Sequence, residues 1–223
     1  TLAGLENIER GSLLELKPFT LAGASSAWTD PDDSGPAGGK YTYDSELKAG
    51  LDAKYPLASD LTLDLTTFTD FAQVEADRDV INLTRFDVLY PEKRDFFLEG
   101  AEIFEFASTT TNPFYSRRIG LTRDGRERIP ILAGAKVTGK AGRTSIGAIN
   151  MQTEGHSDQP STNYSVVRIK RDILKRSYVG MIATNYLNSG GSEQVLGMDF
   201  SYNTKPFMRD RNFEDSGYFA GCN

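Results

Sequence analysis

The sequence predicts an all-β, antiparallel fold of the outer-membrane barrel type, on three observations: hydrophobicity alternates with a period of two, the alternating segments are long, and short connections contrast with long ones. Across 47–55 every odd position (Leu47, Ala49, Leu51, Ala53, Tyr55) is apolar and every even one is charged or glycine, so a strand here has one apolar face. Leu61, Leu63 and Leu65 repeat the pattern against Thr62, Asp64 and Thr66. Pro56 to Asp60 reads as a short turn, which makes the two segments a hairpin. Late in the chain Leu196, Met198, Phe200 and Tyr202 alternate with Gly197, Asp199, Ser201 and Asn203.

Further strands follow at regular spacing. Residues 131–140 and 143–153 flank a tight turn at Ala141-Gly142, 163–171 and 177–186 flank 172–176, and Leu13 to Leu21 adds a strand near the start. These candidates run about nine to eleven residues, longer than the five or six usual in soluble sheets and the length that crosses a bilayer at a tilt. The short links contrast with long polar ones at Ser25 to Lys40 and Thr153 to Thr162, as periplasmic turns do with external loops. Gly50, Gly147, Gly180 and Gly197 are assigned to the lumen side. Tyr41, Tyr43, Tyr55, Tyr178, Tyr186 and Tyr202, near strand ends, are assigned to an aromatic girdle. A soluble β-sandwich binding module alternates in the same way and stays as an alternative.

Composition narrows the function classes. A net charge of -6, from 25 basic and 31 acidic residues, argues against a nucleic-acid surface. The single cysteine, Cys222, rules out an intramolecular disulfide and a cysteine-rich metal site. No stretch approaches the length of a membrane helix, so a membrane crossing would be made by strands. Opening at Thr1 without a signal segment, the chain reads as a piece of a longer protein: residues 1–223 as part of one barrel domain that is incomplete by itself.

From 69 to 120 the clean period is lost, and charges interleave with aromatics. Both signs occur close together, so mutual pairing is the economical arrangement, and the segment is expected as an insert in the barrel lumen or along its rim. Its runs Gln73-Val74-Glu75-Ala76-Asp77, Asn82-Leu83-Thr84-Arg85-Phe86, Pro91-Glu92-Lys93-Arg94, Phe96-Phe97-Leu98-Glu99-Gly100 and Tyr115-Ser116-Arg117-Arg118-Ile119-Gly120 resemble the uncharacterised bacterial family known as domain of unknown function 5916. The resemblance extends from Leu5-Glu6-Asn7-Ile8 through 134–140 to about Tyr202, with Asp95 where proline is expected. It implies an outer-membrane barrel in a Gram-negative bacterium, with membrane lipid as a partner. It also implies a family-9-like carbohydrate-binding module ahead of the barrel, outside this chain, to meet glycans. The resemblance supplies no reaction.

Candidate chemistry concentrates in the same segment. Asp70, Glu75, Asp77, Glu92 and Glu99 could provide the acid and the base or nucleophile of a glycosidase, but paired structural charges are the preferred reading. Arg85, Lys93, Arg94, Arg117 and Arg118 could line a pore that favours anions, and again neutralisation of the nearby carboxylates is preferred. Calcium binding lacks the alternating acidic loop with a central glycine, so neither a metal nor a cofactor is expected. His156 lies in Glu154-Gly155-His156-Ser157-Asp158, where neighbours in one loop cannot aim at one another as a triad must. No catalytic residue is assigned. The leading expectation is a non-enzymatic outer-membrane barrel acting as an uptake channel or surface platform linked to carbohydrate; the rival is an envelope carbohydrate-active hydrolase.

Overall fold

Two-residue periodicity becomes nine strands in a computed structural model that describes residues 14–29, 40–68, 90–106, 112–122, 128–156, 159–174, 176–207 and 211–222. The strands are β1 (Glu15–Thr29), β2 (Lys40–Ala58), β3 (Leu61–Thr67), β4 (Ile131–Ala141), β5 (Thr144–Thr153), β6 (Thr162–Asp172), β7 (Tyr178–Asn188), β8 (Gly191–Phe207) and β9 (Arg211–Cys222). They pair in sequential order, every pair antiparallel. Two short helices, α1 (Asp95–Leu98) and α2 (Ala101–Phe104), and a 3-10 turn at Ser116–Arg118 lie between β3 and β4.

Connections sort by rim. β2 and β3, β4 and β5, β6 and β7, and β8 and β9 succeed one another at one edge of the sheet, the lower rim; β1 and β2, β3 and β4, β5 and β6, and β7 and β8 do so at the other, the upper rim. The short-against-long contrast therefore divides the two rims, apart from the tight upper turn between β7 and β8.

Register shows what the alternation means. Paired residues share a face, so the ladder Leu196, Ala183, Val167, Ala148, Val137, Leu63 places one row of apolar side chains on a single face of β8 back to β3. That outward face is open: Leu47 is 80% and Phe219 70% exposed. The inward face carries the core, in which Ile149, Met151, Val166 and Ile182 of the strands meet Phe97, Phe104, Phe114 and Ile119 of the 90–121 segment. Gly50, Gly147, Gly180 and Gly197 all have inward parity. A Cβ on Gly147 would come within 2.7 Å of the Phe104 ring, so the absent side chain is what lets α2 approach.

Several expectations need correction. β1 continues to Thr29, so Ser25 to Trp28, expected in a loop, are strand: Ser26 pairs with Tyr43 and Trp28 with Tyr41, and the Trp28 and Tyr41 rings stack edge to face. Pro56 lies inside β2 rather than in the turn, at a bulge between Pro56 and Ala58, where a missing N–H is tolerated. Tyr178 and Tyr186 point inward, because they share parity with Gly180 and Thr184; Tyr41, Tyr43, Tyr55 and Tyr202 point outward. The sheet is open among the described residues, since β1 and β9 each pair along one edge only, so a closed barrel is not formed by these nine strands.

Candidate functional site

The inward face of β1 to β8 holds charges, several of them buried. One register row carries Glu15, Lys54, Asp64 and Lys136 on β1, β2, β3 and β4, alternating in sign. Lys136, 1% exposed, lies 3.2 Å from Asp64 Oδ2, and Lys54 lies 3.9 Å from Asp64 on the other side. Over this row sits α1. Lys136 Nζ donates to the carbonyl oxygens of Phe96 at 2.5 Å and Glu99 at 2.8 Å, while Lys54 pairs with the Glu99 carboxylate. A cation at the C-terminal end of a short helix satisfies carbonyls that have no partner within it. Asp52, Asp95 and the row, with Leu65 and Phe96, line a cavity of about 90 Å³, room for a few waters.

A second contact holds α2. Arg168 on β6 and Asp199 on β8, both with fully buried side chains, form a two-pronged ion pair at 2.5 and 2.8 Å across the intervening strand β7. The guanidinium passes over Gly180, where a Cβ would meet Asp199 Oδ1 at 2.5 Å and Arg168 Nη1 at 2.7 Å. Arg168 also donates to the carbonyls of Ile103 at 3.4 Å and Glu105 at 3.0 Å.

The third contact lies within the segment. Arg94, 2% exposed, donates from Nε and Nη2 to the two Glu92 oxygens at 2.9 and 2.8 Å, and to the carbonyls of Ile119 and Ser116, both at 2.8 Å. The Ser116 hydroxyl donates to Glu92 at 2.7 Å, Tyr115 Oη to the Tyr90 carbonyl at 2.6 Å, and Arg117 to the Pro91 carbonyl at 2.8 Å. Pro91-Glu92-Lys93-Arg94 and Tyr115-Ser116-Arg117-Arg118 are thus the two halves of one knot that closes the base of the segment. Burial pushes the Glu92 carboxyl up, but the Arg94 hydrogen bonds and charge, the Ser116 hydroxyl and the Arg94 backbone N–H outweigh it and hold it at about 2. At Glu99 the Lys54 hydrogen bond pulls the carboxyl below its ordinary range.

Of the expected cluster, Glu92, Arg94 and Arg117 come together in the knot, with Lys93 and the exposed Arg118 in the same two halves. Glu99 stands apart, over β2. Asp70, Glu75, Asp77 and Arg85 lie outside the described residues. Asp95 is the first residue of α1, a position that suits an acidic side chain as it suits proline. His156 makes an isolated bridge with Gln159 in the upper-rim loop between β5 and β6. Lys136 and Arg168, which seat the helices, escaped the sequence reading; their signal was a long cation at inward parity, two residues from small or apolar inward neighbours. Chemically, Glu92 and Glu99 each face a cation, an arrangement that stabilises ionised carboxylates. A glycosidase acid needs the opposite shift. Among the described residues no cluster of three or more metal-ligating side chains forms.

Comparison with curated proteins and with solved structures returns no match. Family comparison does: the family described as Domain of unknown function (DUF5916) matches residues 14–145. The match covers β1 to β4, the segment that packs on them and the first residues of β5, and stops short of the Tyr202 limit that the motifs suggested. On that match, over more than half of its length, the chain belongs to the family of Domain of unknown function DUF5916.

Proposed function

We propose that these residues form a wall segment of a lipid-embedded, outer-membrane-type β-barrel whose lumen is packed by residues 90–106 and 112–121, so that it serves as a plugged surface platform rather than an open channel. One observation carries this reading: the polarity of the sheet is inverted. Charged side chains such as Lys136, Arg168 and Asp199 are buried on the inward face, while Leu47, Leu196, Met198 and Phe219 are exposed on the other. Nine strands at about 4.8 Å spacing make that apolar face about 40 Å wide and, at a height of about 20 Å, on the order of 800 Å². Soluble monomers rarely leave such an area uncovered. Outward amides interrupt it on β5 and β6, but they bond to one another: Asn150 donates to Ser165 at 2.8 Å and to Asn163 at 3.0 Å. Paired amides are tolerable in lipid where single ones are not.

β1 and β9 both run from the lower to the upper rim, so antiparallel closure takes an odd number of further strands. Glycan contact we assign to a module outside these residues, because the lumen over β4 to β8 is filled. The test is fractionation of the full-length polypeptide. Recovery in outer membranes, extraction only with detergent and heat-modifiable migration are expected. Recovery as a soluble protein without detergent would overturn the reading and favour a sandwich with a second sheet over the apolar face.

A further inference from the structure

The outward apolar belt does not run parallel to the hydrogen-bond ladder. On β2 its upper limit is Leu47, followed by Ser45, and on β8 it is Leu196, followed by Gln194. Tracing the register from Leu196 through Ala183, Val167, Ala148, Val137 and Leu63 arrives on β2 at Tyr55, eight residues below Leu47. At the lower limit the belt ends on β2 at Tyr55 and on β8 at Tyr202, which is six residues below the row of Tyr55. The belt therefore descends by six to eight residues over six strand steps.

At about 3.3 Å per residue and about 4.8 Å per strand, that is a descent of about 20 to 26 Å over about 29 Å, an angle of about 35 to 42°. A bilayer is planar, so a belt in contact with it must be level, and its slope relative to the ladder equals the strand tilt. Closed transmembrane barrels tilt their strands by about 35 to 45°.

Aromatic residues stand at both limits. Trp28, Tyr41 and Tyr43 form an exposed outward cluster near the upper rim, with ring centroids 5.0 Å apart for Trp28 and Tyr41 and 6.4 Å for Tyr41 and Tyr43. Tyr55 and Tyr202 stand near the lower rim. Tyr43 and Tyr55 are separated by about 40 Å of strand, which at a tilt of about 40° projects to about 30 Å, the thickness of a hydrocarbon core.

Resting on the barrel reading above, we infer that this oblique belt is a bilayer-binding surface with a defined seat. The Trp28, Tyr41 and Tyr43 rings lie in one headgroup interface, Tyr55 and Tyr202 lie in the other, and Ala49 and Met198 lie at the midplane. Amphipathic rings favour that level because their apolar bodies meet lipid while their polar tips meet water.

The test is depth measurement by nitroxide labels on single cysteines at Trp28, Ala49, Leu51, Ser192 and Met198. It uses the full-length polypeptide in phosphatidylcholine vesicles, with every other cysteine, Cys222 included, replaced by serine. Collision with oxygen relative to a water-soluble nickel chelate reports the depth. Ala49 and Met198 are expected to be deep, Trp28 shallow, and Ser192 much shallower than Leu51, whose register row it shares. Lipid exposure with Leu51 and Ser192 at equal depth would overturn the tilted seat while leaving the barrel standing. Absence of oxygen-favoured collisions at all five positions would overturn both, because the face would then be covered by protein or open to water.

Discussion

Asp199→Asn gives the sharpest test of how the 90–121 segment is held. The substitution keeps the shape of the side chain and removes its charge from a pair in which neither partner is exposed. Arg168 would keep its carbonyl acceptors on Ile103 and Glu105 and lose the carboxylate opposite. Breaking one side of a buried ion pair costs about 3 to 5 kcal/mol, and the remaining carbonyls place this case near the lower value, about 3 kcal/mol. For a chain of this size that corresponds to a fall of about 6 to 12 °C in the thermal midpoint. Arg168→Met is expected to cost at least as much, since it also abandons both carbonyls. The double variant Arg168→Met with Asp199→Asn removes both charges and should cost less than the two single changes summed, giving a coupling of about 2 kcal/mol. Chemical unfolding of the four proteins in one detergent measures the cycle. If each single change costs under about 1 kcal/mol and the double equals their sum, the pair behaves like an exposed one and does not secure α2.

Four further outcomes follow from the same contacts. Glu92 titrates at about 2 when folded against an ordinary 4.5, so its stabilisation is complete above about pH 4.5 and is lost as pH falls toward 2; that is about 3 kcal/mol, and thermal midpoints across this window should show an acid loss that Glu92→Gln lacks. Gly180→Ala places a methyl 2.5 Å from Asp199 Oδ1 and should destabilise by about 2 kcal/mol or more, whereas Gly23→Ala, with open space around its Cβ, should stay within about 0.5 kcal/mol in the same unfolding assay. Lys136→Met leaves the Phe96 and Glu99 carbonyls without their cation and Asp64 with Lys54 at 3.9 Å, so limited proteolysis should cut near α1 at protease levels that leave the parent intact. Met198→Arg should cost about 2 to 4 kcal/mol for the full-length polypeptide unfolded from vesicles by urea, and close to nothing if that face meets water.

Much of the wall was legible from parity. The 47–55 and 61–66 alternation marked β2 and β3, and the four glycines assigned inward are all inward, because a period of two leaves only two faces on which to place a side chain. Where a flanking residue had strong turn character the boundaries slipped: Ser25 and Ser26 read as loop, yet they extend β1 because Asp44 and Tyr43 opposite them continue the ladder. In the segment, the knot between Glu92 and Arg94 was legible as charges close in sequence. Its closure on Ser116 and Ile119 was not, since those contacts span 22 to 25 residues.

By itself the sequence determined that this is a chain of long antiparallel strands with one apolar and one polar face, interrupted by a segment of paired charges. Only the tertiary structure decided which face is covered. Alternation is symmetric between a sheet that buries its apolar side and one that buries its charged side, and no local pattern distinguishes them. The choice was made by contacts at a distance: α1 seated on Lys136, α2 on Arg168, and a glycine at 180 that lets Arg168 reach Asp199 across a strand.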